Sequence, residues 1–360
     1  CARRQSYKCR LNGGLSYRGN MYIIKNTERN REKASDFETF SLLYLLGIHN
    51  DHNSIDLVLI DCFNDVTGTN ETVTEFWDIQ SKGHRKITPL QIGEFLVTLY
   101  ENYISQFPFK HLILLLEDVQ DIHIVDKTNY FYIGNYTAQS KLKIKEGLIR
   151  EYCRRQQIDV TNFIDKRIDT FLNIVEFSVA SKDKVEYVKQ IVDFKNKNIK
   201  PGAFYIEIFN EIRSRQDSLK SINVESKVVE EPIDVLQFKK YISRDQIVAL
   251  LINRFVGIDL FNNISIPIEF TEYTKDLNFE DTRDLVQDCN SDLCRTYFNK
   301  NNKINTWYLL EAVITEILAH KNMSVDDIAI NIPVSILSNV PTLPPISLRF
   351  FIARVKDGLL

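Results

Sequence analysis

The sequence predicts an α/β protein, a mixed sheet flanked by helices and followed by a mainly helical second domain. Three observations carry this. Residues 111–116 (His-Leu-Ile-Leu-Leu-Leu) form a continuous apolar run of strand length, the pattern of a strand buried on both faces. Residues 74–82 alternate instead, with Trp77, Ile79 and Ser81 on one side and Asp78, Gln80 and Lys82 on the other, as a strand between unlike faces would. Beyond residue 232 the apolar positions recur at helical spacing behind capping signals. At 360 residues the chain is long for one domain, so two units are expected.

In chain order, residues 1–20 are basic and contain Gly13-Gly14 and Gly19, an arm and turn. Residues 36–47 read as a helix with Phe37, Phe40, Leu43 and Leu46 on its stripe and Gly47 as its stop. Residues 55–62 are strand-like and lead to Asn64-Asp65. The tract 66–71 (Val-Thr-Gly-Thr-Asn-Glu) reads as a turn, and the next strand ends at Lys82. Thr88-Pro89-Leu90-Gln91 starts a helix expected to reach Tyr103: Thr88 caps, Pro89 suits the first position and Gln91 completes a capping box. Residues 141–155 form an amphipathic helix, with Ile144, Leu148 and Tyr152 inward and Lys143, Arg150 and Arg154 on the opposite side. A strand is expected over 172–179. From 210 to 232 the chain turns polar. Domains are therefore placed at 1–20 (arm), 21–210 (first domain), 211–232 (linker) and 233–360 (helical domain). In the last, Ser243-Arg-Asp-Gln246 is a capping box and Gly257 a stop, 306–320 carries a helical stripe, and the Pro-rich stretch 332–346 is read as non-helical.

Composition narrows the function classes. A net charge of -3 means that a nucleic-acid surface must be a local patch. The six cysteines contain no CxxC pair, which argues against structural zinc and for reduced thiols in the cytoplasm. No apolar run reaches the ~20 residues of a membrane-spanning helix. His49, Asp51 and His52 lack the usual zinc spacing and read as a polar loop.

One constellation points to a specific chemistry. Asp65 ends one apolar run, and Gln80 and Lys82 end the next strand on a shared face. An acid and an amide oxygen can hold a hard divalent cation, and a lysine beside them can steady an attacking hydroxide or the scissile phosphate. The plain alternative is a cross-strand ion pair between Asp65 and Lys82. Asp78 reads as a solvated strand residue. His84, Arg85 and Lys86 follow directly, either as a polar loop or as phosphate contacts. Lys143, Arg150 and Arg154 are either a solvated helix face or a rail along a phosphate backbone.

Four segments together resemble the dsDNA-endonuclease domain of bacterial antiviral effectors, a Q-x-K branch of the PD-(D/E)xK restriction-endonuclease-like superfamily. They are Gly13-Gly-Leu-Ser-Tyr-Arg-Gly19, Asp61-Cys-Phe-Asn-Asp65, Gln80-Ser-Lys82 and Thr88-Pro89, and the resemblance covers residues 13–210. It implies a restriction-endonuclease-like mixed sheet with an αβββαβ core, one strand more than the residues alone reveal. It also implies Asp65 as metal-binding acid, Gln80 as a metal or water ligand, Lys82 as catalytic lysine and Asp61 as an accessory or second-metal ligand. The implied cofactor is Mg²⁺ or Mn²⁺ and the substrate double-stranded DNA, contacted by Arg18, His84, Arg85, Lys86, Lys143, Arg150 and Arg154. The expected setting is antiphage defence, controlled by homo-oligomerisation or by a partner such as a HerA-type ATPase docked on the helical domain. The competing expectation is a catalytically silent scaffold that keeps the nuclease fold.

Overall fold

The computed structural model describes residues 21–25, 36–83, 86–262, 265–299 and 303–360. The arm at 1–20, with Arg18 and the Gly13–Gly19 segment, and also His84 and Arg85, lie outside the described residues. The strands are β1 (Tyr22–Ile23), β2 (Leu57–Ile60), β3 (Val66–Thr69), β4 (Phe76–Lys82), β5 (Phe109–Leu116), β6 (Tyr130–Tyr132), β7 (Glu176–Val179), β8 (Val228–Val229) and β9 (Tyr241–Ser243). The helices are α1 (Asp36–Gly47), α2 (Pro89–Phe95), α3 (Val97–Tyr103), α4 (Ala138–Gln156), α5 (Arg167–Ile174), α6 (Lys184–Lys189) and α7 (Gly202–Lys220). They continue with α8 (Arg244–Val256), α9 (Phe279–Tyr297), α10 (Lys303–Ala319), α11 (Val325–Asn331), α12 (Val334–Leu337) and α13 (Pro345–Leu359).

A seven-stranded mixed sheet runs β6-β7-β5-β4-β3-β2-β9. Strands β4, β5 and β7 are parallel, and the other neighbours are antiparallel. The alternation read from residues 74–82 holds. Trp77 and Ile79, with Ile113 and Leu115 of β5, pack under α1, α6, α7 and α8. On the opposite face Leu112, Leu114, Leu116 and Phe177 pack under α2, α3, α4 and α5. Helices therefore cover both sides, and β5 is buried on both as its sequence requires.

Several expectations are corrected. The tract at 66–71 is not a turn throughout, because Val66–Thr69 is β3 and pairs with both β2 and β4. Its Gly68 looks like a turn signal but serves packing. A Cβ there would lie 3.0 Å from Ile55 Cγ2 and 3.3 Å from Leu45 Cδ1, so the bare backbone admits α1 and the β2 approach. Of 172–179 only Glu176–Val179 is strand, since α5 runs to Ile174. The helix expected from Thr88 to Tyr103 is two, α2 and α3, meeting at Leu96. The Pro-rich stretch contains α12, and Pro345 opens α13.

The polar tract at 211–232 is not an extended linker. Its first ten residues complete α7, and β8 pairs with β1. Strand β9 then joins the main sheet beside β2, with Leu57 opposite Ser243 and Leu59 opposite Tyr241. The core on this face continues through Leu251 and Phe255 of α8 into Trp307 of α10 and Phe351 of α13. The span 233–360, expected as a separate helical domain, thus contributes a strand to the main sheet; from α8 onward the described residues form α- and 3₁₀-helices with connecting loops and no strand.

Candidate functional site

Strands β3 and β4 form a hairpin that is closed at residues 70–75 and open where Val66 faces Ile79. Because β4 runs parallel to β5 and β7, this open end lies at the carboxyl edge of the parallel strands, where sheets of this kind leave room for ligands. Asp65 sits just before β3, so the antiparallel register carries it to Gln80. One oxygen, Asp65 Oδ2, accepts three hydrogen bonds of 2.8 Å, from Gln80 Nε2, the Ser81 backbone N–H and Ser81 Oγ. That fixes the carboxylate and turns the Gln80 amide so that its nitrogen is engaged and its Oε1 is the oxygen donor. Lys82 follows at the strand end, its Nζ 5.4 Å from the centre of the Phe95 ring of α2.

The segment 61–65 brings in Asp61. It turns sharply: Asp61 has φ +49°, and its N–H donates to the Asp65 carbonyl at 3.3 Å. Aspartate tolerates this left-handed backbone better than most side chains.

Sequence reasoning missed two partners. Glu38 lies beside Asp36 in the first turn of the largely apolar α1 and is buried. Its carboxyl is pushed up to about 7, first by burial and then by the Asp65 carboxylate; Lys220 opposes this and Asp61 adds to it. Lys220, in the last turn of α7, forms an ion pair with Glu38 and stands 3.9 Å from Asp61 Oδ2. An acid in the first turn of a helix and a lysine in a polar tract give no pattern to detect; only the fold joins them to Asp65.

Asp78 is corrected. It is fully buried rather than solvated. Its Oδ1 accepts from Thr67 Oγ1 at 2.7 Å, and its Oδ2 accepts from Asn102 Nδ2 at 2.7 Å and Asn64 Nδ2 at 3.3 Å. Burial pushes its carboxyl up to about 6 against these hydrogen bonds. Asn64 also accepts the Asp65 N–H through Oδ1 at 3.1 Å, so this buried acid props the loop that presents Asp65.

The basic residues distribute differently. Lys86 is exposed beyond β4, with φ +66°. Ile144 and Leu148 face inward on α4 as expected, and Lys143, Arg150 and Arg154 point outward. These three engage carboxylates of α4 and α2: Lys143 with Glu146 at 2.8 Å, Arg150 with Glu94 at 3.8 Å and Arg154 with Glu151 at 2.6 Å. The positive charge of these three side chains is thus partly neutralised on its own surface.

A second polar cluster occupies the opposite edge, at the amino ends of β5 and β7. His111 Nδ1 lies 2.5 Å from Glu176 Oε1 and its Nε2 lies 3.0 Å from Asp51 Oδ2. Both ring nitrogens can donate only in the imidazolium form. The two carboxylates raise the His111 pKa although burial opposes them. His49 Nε2 lies 3.5 Å from Glu176 Oε2. The ligand-type atoms of His49, His111 and Glu176 fall within 4.8 Å of one another, as in a metal site. However, the Asp51 backbone N–H donates to His49 Nδ1 at 3.1 Å, which leaves the proton on Nε2 facing Glu176. That tautomer makes a closed hydrogen-bonded charge network and not a ligand set. The sequence grouped His49 with Asp51 and His52; Asp51 does join the cluster, whereas His52 lies 2.8 Å from the His49 carbonyl through Nδ1.

No family model matches the chain, and no curated protein or solved structure matches it.

Proposed function

We propose that the chain is a divalent-metal-dependent endonuclease with a restriction-endonuclease-like first domain, cutting double-stranded DNA. The carrying observation is the meeting of Asp65 and Gln80 at 2.8 Å on the open end of the β3–β4 hairpin, with Lys82 two residues on. The donor chemistry fits Mg²⁺ or Mn²⁺: Asp65, Gln80 Oε1 and the nearby Asp61 are hard oxygen donors. The acids are crowded too: after burial, Asp65 and Asp61 disfavour the charged form of Glu38, and Lys220 offsets part of this. Such repulsion is what a divalent ion relieves.

Asp65 and Gln80 would hold the ion, which supplies Lewis acidity and an activated water at neutral pH. The rest belongs to the side chains. Ser81 fixes the Asp65 carboxylate through two hydrogen bonds. Lys82 orients the nucleophile and offsets negative charge developing on the phosphate. Exposed Lys86 extends positive charge past the strand end toward a DNA backbone. The helices from α8 onward are assigned to oligomerisation or to docking a partner such as a HerA-type ATPase, in a cytoplasmic antiphage role. No helix among the described residues is long and apolar enough to cross a membrane.

The test is plasmid cleavage with Mg²⁺ or Mn²⁺, with and without chelator. Lys82→Ala is expected to lose cleavage by roughly 10²–10³-fold while keeping its fold and DNA binding. A Lys82→Ala protein that cuts as fast as wild type refutes the assignment. Absence of any Asp65-dependent metal binding by calorimetry would leave the silent-scaffold alternative.

A further inference from the structure

The Lys220 side chain is 4% exposed, at the end of α7, in contact with a Glu38 carboxylate that is 4% exposed in turn. Its ammonium is also 3.9 Å from Asp61 Oδ2. From the other side Lys240, just before β9, donates from Nζ to the Asp61 carbonyl at 3.3 Å. Burying an ammonium is unfavourable unless acids compensate it, so this lysine is held by the carboxylates it neutralises. Asp65 is the third acid of the group: its carboxylate acts electrostatically on Glu38, and its carbonyl accepts the Asp61 N–H at 3.3 Å.

Nuclease centres that use two divalent ions place them about 3.5–4 Å apart and share carboxylates between them. A second ion here would have to draw on Glu38 and Asp61, and Lys220 already supplies positive charge to both. We infer that Lys220 is an internal cation standing in for a second divalent ion, so that the centre takes a single ion on its Asp65–Gln80 side. The inference rests on the proposed nuclease reading. Lys220 is a positioning residue, acting through Glu38 and Asp61. Its charge is the functional part, and its buried stem the structural part.

The experiment is calorimetric titration of the full chain with Mn²⁺, with circular dichroism to verify folding. Wild type is expected to bind one ion per chain, dependent on Asp65. Lys220→Met keeps the apolar stem and removes the charge. It is expected to bind two ions, the second lost again when Glu38→Gln is added; Lys220→Arg stays at one. Should Lys220→Met fail to fold, Glu38→Gln alone decides, because it is expected to retain the single ion with affinity changed less than about tenfold. Two ions on wild type, one ion on folded Lys220→Met, or loss of the ion in Glu38→Gln each overturn the inference while the nuclease reading stands. No Asp65-dependent binding to wild type defeats the nuclease reading itself.

Discussion

Replacing Glu176 by Gln should destabilise the protein in a pH-dependent way that follows from the cluster at the amino ends of the strands. The Glu176 carboxylate faces His111 Nδ1 at 2.5 Å, accepts from the Tyr130 hydroxyl at 3.0 Å, and faces His49 Nε2 at 3.5 Å. Burial opposes its charge, but His111 and His49 outweigh burial and hold its pKa down at about 2 against an ordinary 4.5. A gap of that size, at about 1.4 kcal/mol per unit, corresponds to about 3 kcal/mol in favour of the folded state. A depressed carboxyl contributes fully above its unfolded pKa and loses the contribution as pH falls through the folded one. His111 has a raised pKa, so its share is complete below the ordinary 6.5 and is lost as pH rises through the elevated value. The wild-type advantage over Glu176→Gln should therefore be widest between about pH 4.5 and 6.5 and narrow on both sides. Urea unfolding of both proteins at a series of fixed pH values measures it. A gap that is flat with pH, or that grows above about pH 8, would refute the argument, because the variant would then be losing packing and not a charge network.

Two further substitutions test the reading of caps and close contacts. Gly257 ends α8 with φ +92°, and a Cβ there would lie 2.5 Å from the Gly358 carbonyl oxygen of α13. Gly257→Ala is expected to cost about 1–3 kcal/mol in urea unfolding; a neutral result would show that α13 can move aside. Thr88 accepts the Gln91 N–H while Gln91 Oε1 accepts the Thr88 N–H, a complete capping box on α2. Thr88→Ala should cost about 1 kcal/mol in the same assay, and an unchanged midpoint would mean that the cap is redundant.

Much of the fold was legible where local chemistry and tertiary structure agree. The Thr88 and Ser243 capping boxes, the Gly257 stop and the apolar run of β5 each appear where their residues place them. Legibility failed where a tertiary neighbour decides the matter. Gly68 reads as a turn because the helix that needs its missing side chain lies elsewhere in the chain. Residues 211–220 read as linker because α7 shows exposed arginine and serine on one side, while Ile212 and Gln216 are buried on the other. The site divides in the same way. Asp65, Gln80 and Lys82 lie within one hairpin, so a strand period suffices to bring them together. Glu38 and Lys220 come from helices packed over that sheet, and His111 meets Glu176 across 65 positions of sequence. No local period carries such pairings.

The position of β9 bears on the chain while it is being made. Asp65, Gln80 and Lys82 are synthesised early, but Tyr241–Ser243, which covers β2, follows about 160 residues later. At 5–20 residues per second that interval is roughly ten to thirty seconds. Throughout it the outward backbone groups of residues 57–59 have no strand beside them, and an open edge of this kind is a template for pairing with other chains. Lys220 also arrives late, so the acids gathered around Asp65 wait for their buried counter-charge. The sheet and the charge balance around Asp65 are thus completed together, once Lys220 and Tyr241–Ser243 have been made, and the nascent chain is most exposed to misassembly before that point.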